Sequence, residues 1–263
     1  MHLTKLIRRS FFFGSKKGNE KKVVKQDKQD KQISKDPLTN LIELAKQDTL
    51  ATRKALPPKK DDKLTVFLEL EGVLLHSYIP HFTEGYLNQP KRPYDFYFEM
   101  QTDEQLFVNV YMRENYKRFL DYLKENTETI LFTYNNQIFM DHLINAIGQE
   151  QFDFIEHRFY QDDCSLLEKE DEDLCELFKT IDGFGRDLNR SIIIDHRPLS
   201  FIAHPNNGVL INEFDGGWEA EEDKNDLNEL RDTIMHLGKL SSVQEILKNQ
   251  YKLEEFLREL NII

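Results

Sequence analysis

Three stretches of this chain end alike. "VFLELEG" closes on Glu69 and Glu71, "ILFTYNN" on Thr133 and Asn135, and "SIIIDHR" on Asp195 and His196. Each is an apolar run that holds its polar groups to the last positions, and buried strands seldom carry an acid pair. In an open parallel sheet the carboxyl ends of the strands converge on one crevice, where ligands bind. Three such tips together build a single acidic pocket. Strand ends are also polar simply because loops begin there, so the tips alone leave open whether the two glutamates do chemistry or mark where chemistry was lost.

The elements that would position them are legible. "LTVFLEL", "TILFTYN", "SIIIDHR" and "GVLINEF" read as strands. "YDFYFEM" and "LFVNVYM" alternate with period two around "QTDEQ", which predicts a hairpin. "ENYKRFLDYLKEN" places Tyr116, Phe119, Leu120 and Leu123 on one helical face, and "QIFMDHLINAIG" is a helix stopped by Gly148. The stretch between Cys164 and Lys179 reads as an acidic loop past the pocket mouth, most simply a solvated face. "NDLNELRDTIMHLG" and "SSVQEILKNQYKLEEFLRELN" read as closing helices. Apolar strands alternating with amphipathic helices predict an α/β fold, a mostly parallel sheet flanked by helices.

Charge divides the chain. Residues 1–60 hold sixteen Lys/Arg against six Asp/Glu, and the rest nineteen against forty-one. The acidic body would repel DNA, RNA and anionic lipid, which argues against a nucleic-acid partner. Residues 1–19 have no acid and place Leu3, Leu6, Ile7 and Phe11 on one helical face with Lys5, Arg8 and Arg9 in the same stretch. That is the profile of a mitochondrial presequence. Residues 20–62 read as a lysine-rich linker and a short helix ended by Pro57 and Pro58, either a docking arm or a strap across the domain's own surface. The α/β domain is expected over 63–263. Cys164 and Cys175 lack metal-ligand spacing and read as reduced structural cysteines. No apolar run is long enough for a transmembrane helix.

From about Lys63 to Tyr251 the sequence resembles the NLI-interacting-factor-like domain of the haloacid dehalogenase superfamily. That family includes the C-terminal-domain phosphatases and the presequence-receptor subunit of the mitochondrial inner-membrane translocase. "LELEGVLLHS" stands where the family has D-x-D-x-T/V, and "LFTYNN" resembles its second motif, with Thr133 as the phosphate-binding hydroxyl. "EHRFYQDDC" and "FKTIDGFGRDLNRSIIIDHRP" match further motifs, which makes Lys179 the phosphate-side lysine and Asp195 the metal-side acid. "FDGG" and "LELEGVLLH" are closer to the translocase-receptor branch. The resemblance implies a Rossmannoid parallel sheet with a β-hairpin insertion and an N-terminal extension.

The resemblance also marks departures. Both motif aspartates, nucleophile and general acid/base in the family's phosphatases, are glutamates here. The added methylene moves a carboxylate oxygen by roughly 1 Å, which in-line phosphoryl transfer punishes by on the order of a hundredfold. His196 replaces a usual Asp or Asn and is a poor Mg²⁺ ligand, and Arg113-Glu114-Asn115 stands where the family has R-P-G. The expected protein is therefore a pseudophosphatase without catalytic residues or cofactor, its vestigial pocket formed by Glu69, Glu71, Thr133, Lys179, Asp195 and His196. Lys179 is expected as a counter-ion among Glu69, Glu71 and Asp195, the three acids that would hold any ion. The expected role is an accessory subunit of a mitochondrial inner-membrane assembly, a respiratory-chain complex ahead of the protein-import machinery, with protein partners. The alternative is a weak Mg²⁺-dependent protein phosphatase that uses Glu69 as nucleophile.

Overall fold

The computed structural model describes residues 37–80, 89–101, 105–168, 175–217 and 226–259. The presequence-like segment and the lysine-rich linker lie outside them. In chain order the strands are β1 (Leu64–Leu68), β2 (Leu75–Tyr78), β3 (Phe96–Gln101), β4 (Gln105–Met112) and β5 (Thr127–Phe132). They continue as β6 (His157–Phe159), β7 (Ser165–Glu168), β8 (Cys175–Phe178), β9 (Ser191–Asp195) and β10 (Gly208–Leu210). The helices are α1 (Pro37–Thr52), α2 (Tyr116–Asn126), α3 (Gln137–Ile147), α4 (Asp226–Leu237), α5 (Gln244–Tyr251) and α6 (Leu253–Glu259).

The central sheet runs β10-β9-β1-β5-β6, with every pairing parallel. Its three middle strands are apolar on both faces. Val66, Leu68, Leu131, Ile192 and Ile194 enter one core, with α2, α3, α4 and α5. Phe67, Ile130, Phe132 and Ile193 alternate with them into a second core with Ile181, Phe184, Phe201 and Leu253. Successive strand residues face opposite ways, so two-sided burial demands an unbroken apolar run. This is why the alternation expected of a half-exposed strand is missing here.

The expected hairpin forms as β3 and β4, antiparallel, and β2 joins β4 on its other side to make a three-stranded sheet. Sequence reading missed β2, and it took the stretch after Cys164 for a loop. That stretch instead pairs as a second hairpin, Ser165 with Phe178 through Glu168 with Cys175. Residues 169–174, the acidic part of the expected loop, lie outside the described residues. The single closing run after Ser241 breaks at Lys252, whose φ of 48° separates α5 from α6.

Asp36–Ile263 forms one compact unit, so the boundary expected at residue 63 falls inside it. Of the two roles open to α1, the structure shows a strap on the domain's own surface. Ile42 and Ala45 pack with Leu167, Phe178, Ile202 and Leu257. Thr49 meets Ser165 at 2.7 Å, and Lys46 pairs with Asp182 at 3.1 Å. The helix ends at Thr52, ahead of the prolines, and Arg53 takes over as an anchor. Its guanidinium donates to the carbonyls of Thr180 at 2.5 Å, Asp182 at 3.0 Å and Asp163 at 2.6 Å, and lies 4.0 Å over the Phe184 ring. Among the described residues no helix is long and apolar enough to cross a membrane.

Candidate functional site

β1 stops at Leu68, and Glu69 is the first residue beyond it, held in line by its N–H to the Ile194 carbonyl at 3.1 Å. β9 ends on Asp195, and β5 at Phe132 with Thr133 next. β8 runs out just before Lys179. Parallel pairing of β1 with both β5 and β9 brings these tips to one end of the sheet. Glu69, Thr133, Lys179 and Asp195 are all buried there, Thr133, Lys179 and Asp195 completely.

Lys179 closes the group. Its Nζ donates to Glu69 Oε2 at 2.9 Å and to Asp195 Oδ2 at 2.6 Å, and stands 4.5 Å from the Tyr134 ring centroid. Burial alone would lower its pKa, but Asp195 and Glu69 together carry it above the ordinary lysine value. Burial would likewise raise Asp195, yet Lys179, with His196 and Ser200, holds its carboxyl below the usual range. The ion pair is thus charged in both partners at neutral pH. A buried charge tolerates this only when paired and hydrogen-bonded.

Glu69 is saturated. Oε1 accepts from the N–H of Leu70 at 3.0 Å and of Glu71 at 3.3 Å; Oε2 accepts from Tyr134 N–H at 3.2 Å as well as from Lys179. The longer side chain folds back on its own strand end. Asp195 is engaged too, Oδ1 accepting from Arg197 N–H at 2.9 Å.

Glu71 corrects an expectation, because it does not join Lys179. Its Oε1 accepts from Ser77 N–H at 2.7 Å and lies 3.4 Å from His76 Nδ1, while Oε2 is buried without a hydrogen-bond partner. The cause is the turn after it, where Gly72 takes φ +71° and starts a tight return to β2. A Cβ on Gly72 would stand 2.5 Å from His196 Nδ1, so glycine also makes room for that imidazole. His196 Nδ1 is 3.5 Å from Asp195 Oδ1 and is buried without a hydrogen bond.

Thr133 Oγ1 accepts from Asn135 N–H at 3.2 Å, fixing the loop that carries Tyr134. Sequence reasoning missed Tyr134, though it directly follows Thr133. Its ring centroid is 4.5 Å from Lys179 Nζ and 4.1 Å from the Arg197 guanidinium, and its hydroxyl meets Ser200 Oγ at 3.0 Å. Burial pushes its phenol above the ordinary value. Cys164 is a free buried thiol, pushed up to about 12 chiefly by burial, and hence unreactive. Arg113, matched to the family's R-P-G, is buried and donates to the carbonyls of Val73 and Asn212. Asn115, in the glycine position, takes φ 63°, a left-handed conformation asparagine tolerates.

Mg²⁺ takes oxygen ligands in near-octahedral geometry. Glu69 offers no uncommitted oxygen, both Asp195 oxygens accept hydrogen bonds, Glu71 points elsewhere, and His196 presents nitrogen. The donor set does not fit Mg²⁺, and among the described residues no cluster of three or more His, Cys, Asp or Glu is placed to hold a metal ion.

A parallel α/β sheet with an acid–lysine–acid crevice at its strand tips is the frame of a phosphatase-type domain. The chain belongs to the family described as NLI interacting factor-like phosphatase, whose profile matches residues 64–246. It is 28% identical over 228 residues to CTD small phosphatase-like protein 2 of Dictyostelium discoideum, covering 85% of this chain and 36% of that protein. It is 28% identical to Phosphatase PSR1 of Saccharomyces cerevisiae over 191 residues, 71% of this chain and 39% of the relative. With the human carboxy-terminal domain RNA polymerase II polypeptide A small phosphatase 1 the identity is 23%, over 71% of this chain and 64% of that protein. The chain thus spans well under two thirds of the first two relatives' length. Among solved structures, that of Fcp1, an essential RNA polymerase II CTD phosphatase, aligns with a TM-score of 0.42 and 14% identity, over 81% of this chain and 55% of that one.

Proposed function

We propose that this chain is a phosphatase-fold protein that does not turn over phosphate esters and serves as a protein-interaction subunit. The observation that carries the reading is the Glu69 carboxylate, both of whose oxygens are bound by the strand-end N–H groups and Lys179. A nucleophile must present an oxygen in line with the reacting phosphorus. This carboxylate presents none. The acid two residues on, Glu71, is turned to Ser77 and cannot hand a proton across the same centre. Such groups act as a unit, so losing their geometry costs the whole of their effect.

The basic, acid-free residues 1–19 and the acidic body support a mitochondrial inner-membrane assembly as the site of action, with a respiratory-chain complex favoured over the import machinery, to which the translocase-receptor resemblance points. Native electrophoresis of gently solubilised mitochondria, with mass spectrometry to find this chain, tests the subunit role. Comigration with a large complex supports it, and migration as a free chain of 31.3 kDa sinks it. An aryl-phosphate assay with Mg²⁺ tests the loss of turnover. Activity in the wild type that disappears in Glu69→Gln would establish the weak-phosphatase alternative instead.

A further inference from the structure

The donors around Glu69 form a shape of their own. Two consecutive N–H groups, Leu70 and Glu71, converge on one oxygen position. A third N–H, Tyr134, and the Lys179 ammonium converge on a second. Successive backbone N–H groups turned to one point make an anion-binding concavity, and an ammonium beside them adds a full charge. All four donors are fixed by the sheet: Leu70 and Glu71 by the turn after β1, Tyr134 by the end of β5, Lys179 by its second bond to Asp195.

We propose that this cage is an oxyanion seat occupied by the chain's own Glu69 carboxylate, so that the native protein shuts out external oxyanions by self-ligation. The added methylene lets the glutamate carboxylate fold back and reach the N–H groups of its own residue's neighbours. Two oxygen positions with two donors each match two oxygens of a tetrahedral oxyanion as well as they match a carboxylate. Removing the carboxylate leaves three N–H groups without their acceptor and the ammonium with Asp195 alone. Such groups are expensive to leave unpaired, so the emptied cage recruits an anion from solution. The inference builds on the no-turnover reading, but it can fail separately.

The test uses the full chain and inorganic phosphate as the probe, read as a shift in melting temperature and by titration calorimetry. Glu69→Ala and Glu69→Gly should gain a saturable phosphate-dependent stabilisation absent from the wild type, with formate, a carboxylate small enough for the vacated space, competing for the same site. Glu69→Gln still fills the space, although its NH₂ cannot accept from the donors it faces, and should show no gain. Adding Lys179→Met to Glu69→Ala should weaken phosphate at least tenfold. If the alanine variant fails to fold, Glu69→Asp, which retracts the carboxylate by one methylene, should still bind phosphate more tightly than the wild type. Equal phosphate response in wild type and Glu69→Ala, or none in any folded variant, overturns the proposal. Wild-type turnover of an aryl phosphate that depends on Glu69 would overturn both the inactive reading and the closed cage, whereas an inactive wild type with equal phosphate response in Glu69→Ala would overturn the cage alone.

Discussion

Lys179 Nζ lies 2.6 Å from Asp195 Oδ2, and neither side chain is exposed to solvent. The pair ties the residue after β8 to the last residue of β9, and through Glu69 to β1. Its value lies in its completeness. Lys179→Met leaves two buried carboxylates facing each other without a counter-charge, and removing one partner of a buried pair costs about 3–5 kcal/mol. Urea unfolding should show that loss as a lower midpoint with an unchanged slope.

The same pair fixes a pH window. Asp195 has a folded pKa below its ordinary 3.8, so its contribution is present above that value and is lost as pH falls through the lower folded one. Lys179 is raised above 10.5, so its contribution is present below that pH and is lost as pH rises through the higher folded value. The stability gap between wild type and Asp195→Asn should therefore be widest around neutrality and close at strongly acid pH. A gap independent of pH would refute the charge pairing.

His204 should set a second acid limb. Its Nε2 meets Thr180 Oγ1 at 3.1 Å, and burial depresses it to about 4, with Asp182 opposing and Lys46 and Arg53 adding to the depression. A group neutral in the fold and protonated in the unfolded chain draws stability down as pH falls from 6.5 through about 4. The slope there should be up to one proton. His204→Gln, able to keep a hydrogen bond to Thr180, should flatten that stretch of the stability curve.

How much of this was legible in the residues depends on range. The β1, β5 and β9 tips were legible because an apolar run ending in polar residues is a local signal, and Glu69, Lys179 and Asp195 do converge. The direction of Glu71 was not, because it depends on the left-handed turn at Gly72 and on an N–H donated from Ser77, six residues on. Tyr134 was passed over because its ring looks like core; its role comes from a backbone N–H, which no side-chain pattern reveals. The β7–β8 hairpin was hidden by its short strands, whose pairing is stabilised by α1 from more than a hundred residues earlier.

Gly72 and His196 should be energetically coupled. Gly72→Ala meets a left-handed backbone cost of about 1–2 kcal/mol and the imidazole beside it. In a His196→Ala background the steric part should vanish while the backbone part remains. A double-mutant cycle measured by chemical denaturation should give a favourable coupling; strict additivity would show that the ring is not the obstacle.

Arg53 should behave as a fork and not as a charge. Arg53→Ala removes bonds to three carbonyls and a stacked cation, a loss of about 3 kcal/mol if charged hydrogen bonds keep their usual worth. Arg53→Lys should recover less than half of it, because a lysine cannot reach two chain segments at once. Hydrogen exchange should quicken in β7 and β8 in both variants before it changes in β1.

The family profile begins at Leu64, eleven residues after Arg53. The profile and the compact unit therefore have different borders in this chain. A fragment trimmed to the span of that profile would keep every residue of the crevice and still lose the clasp that joins Asp163 to Thr180 and Asp182. What such a fragment reported about Lys179 would describe a hairpin let loose at its base. For this protein the span of the family profile is shorter than the unit that folds.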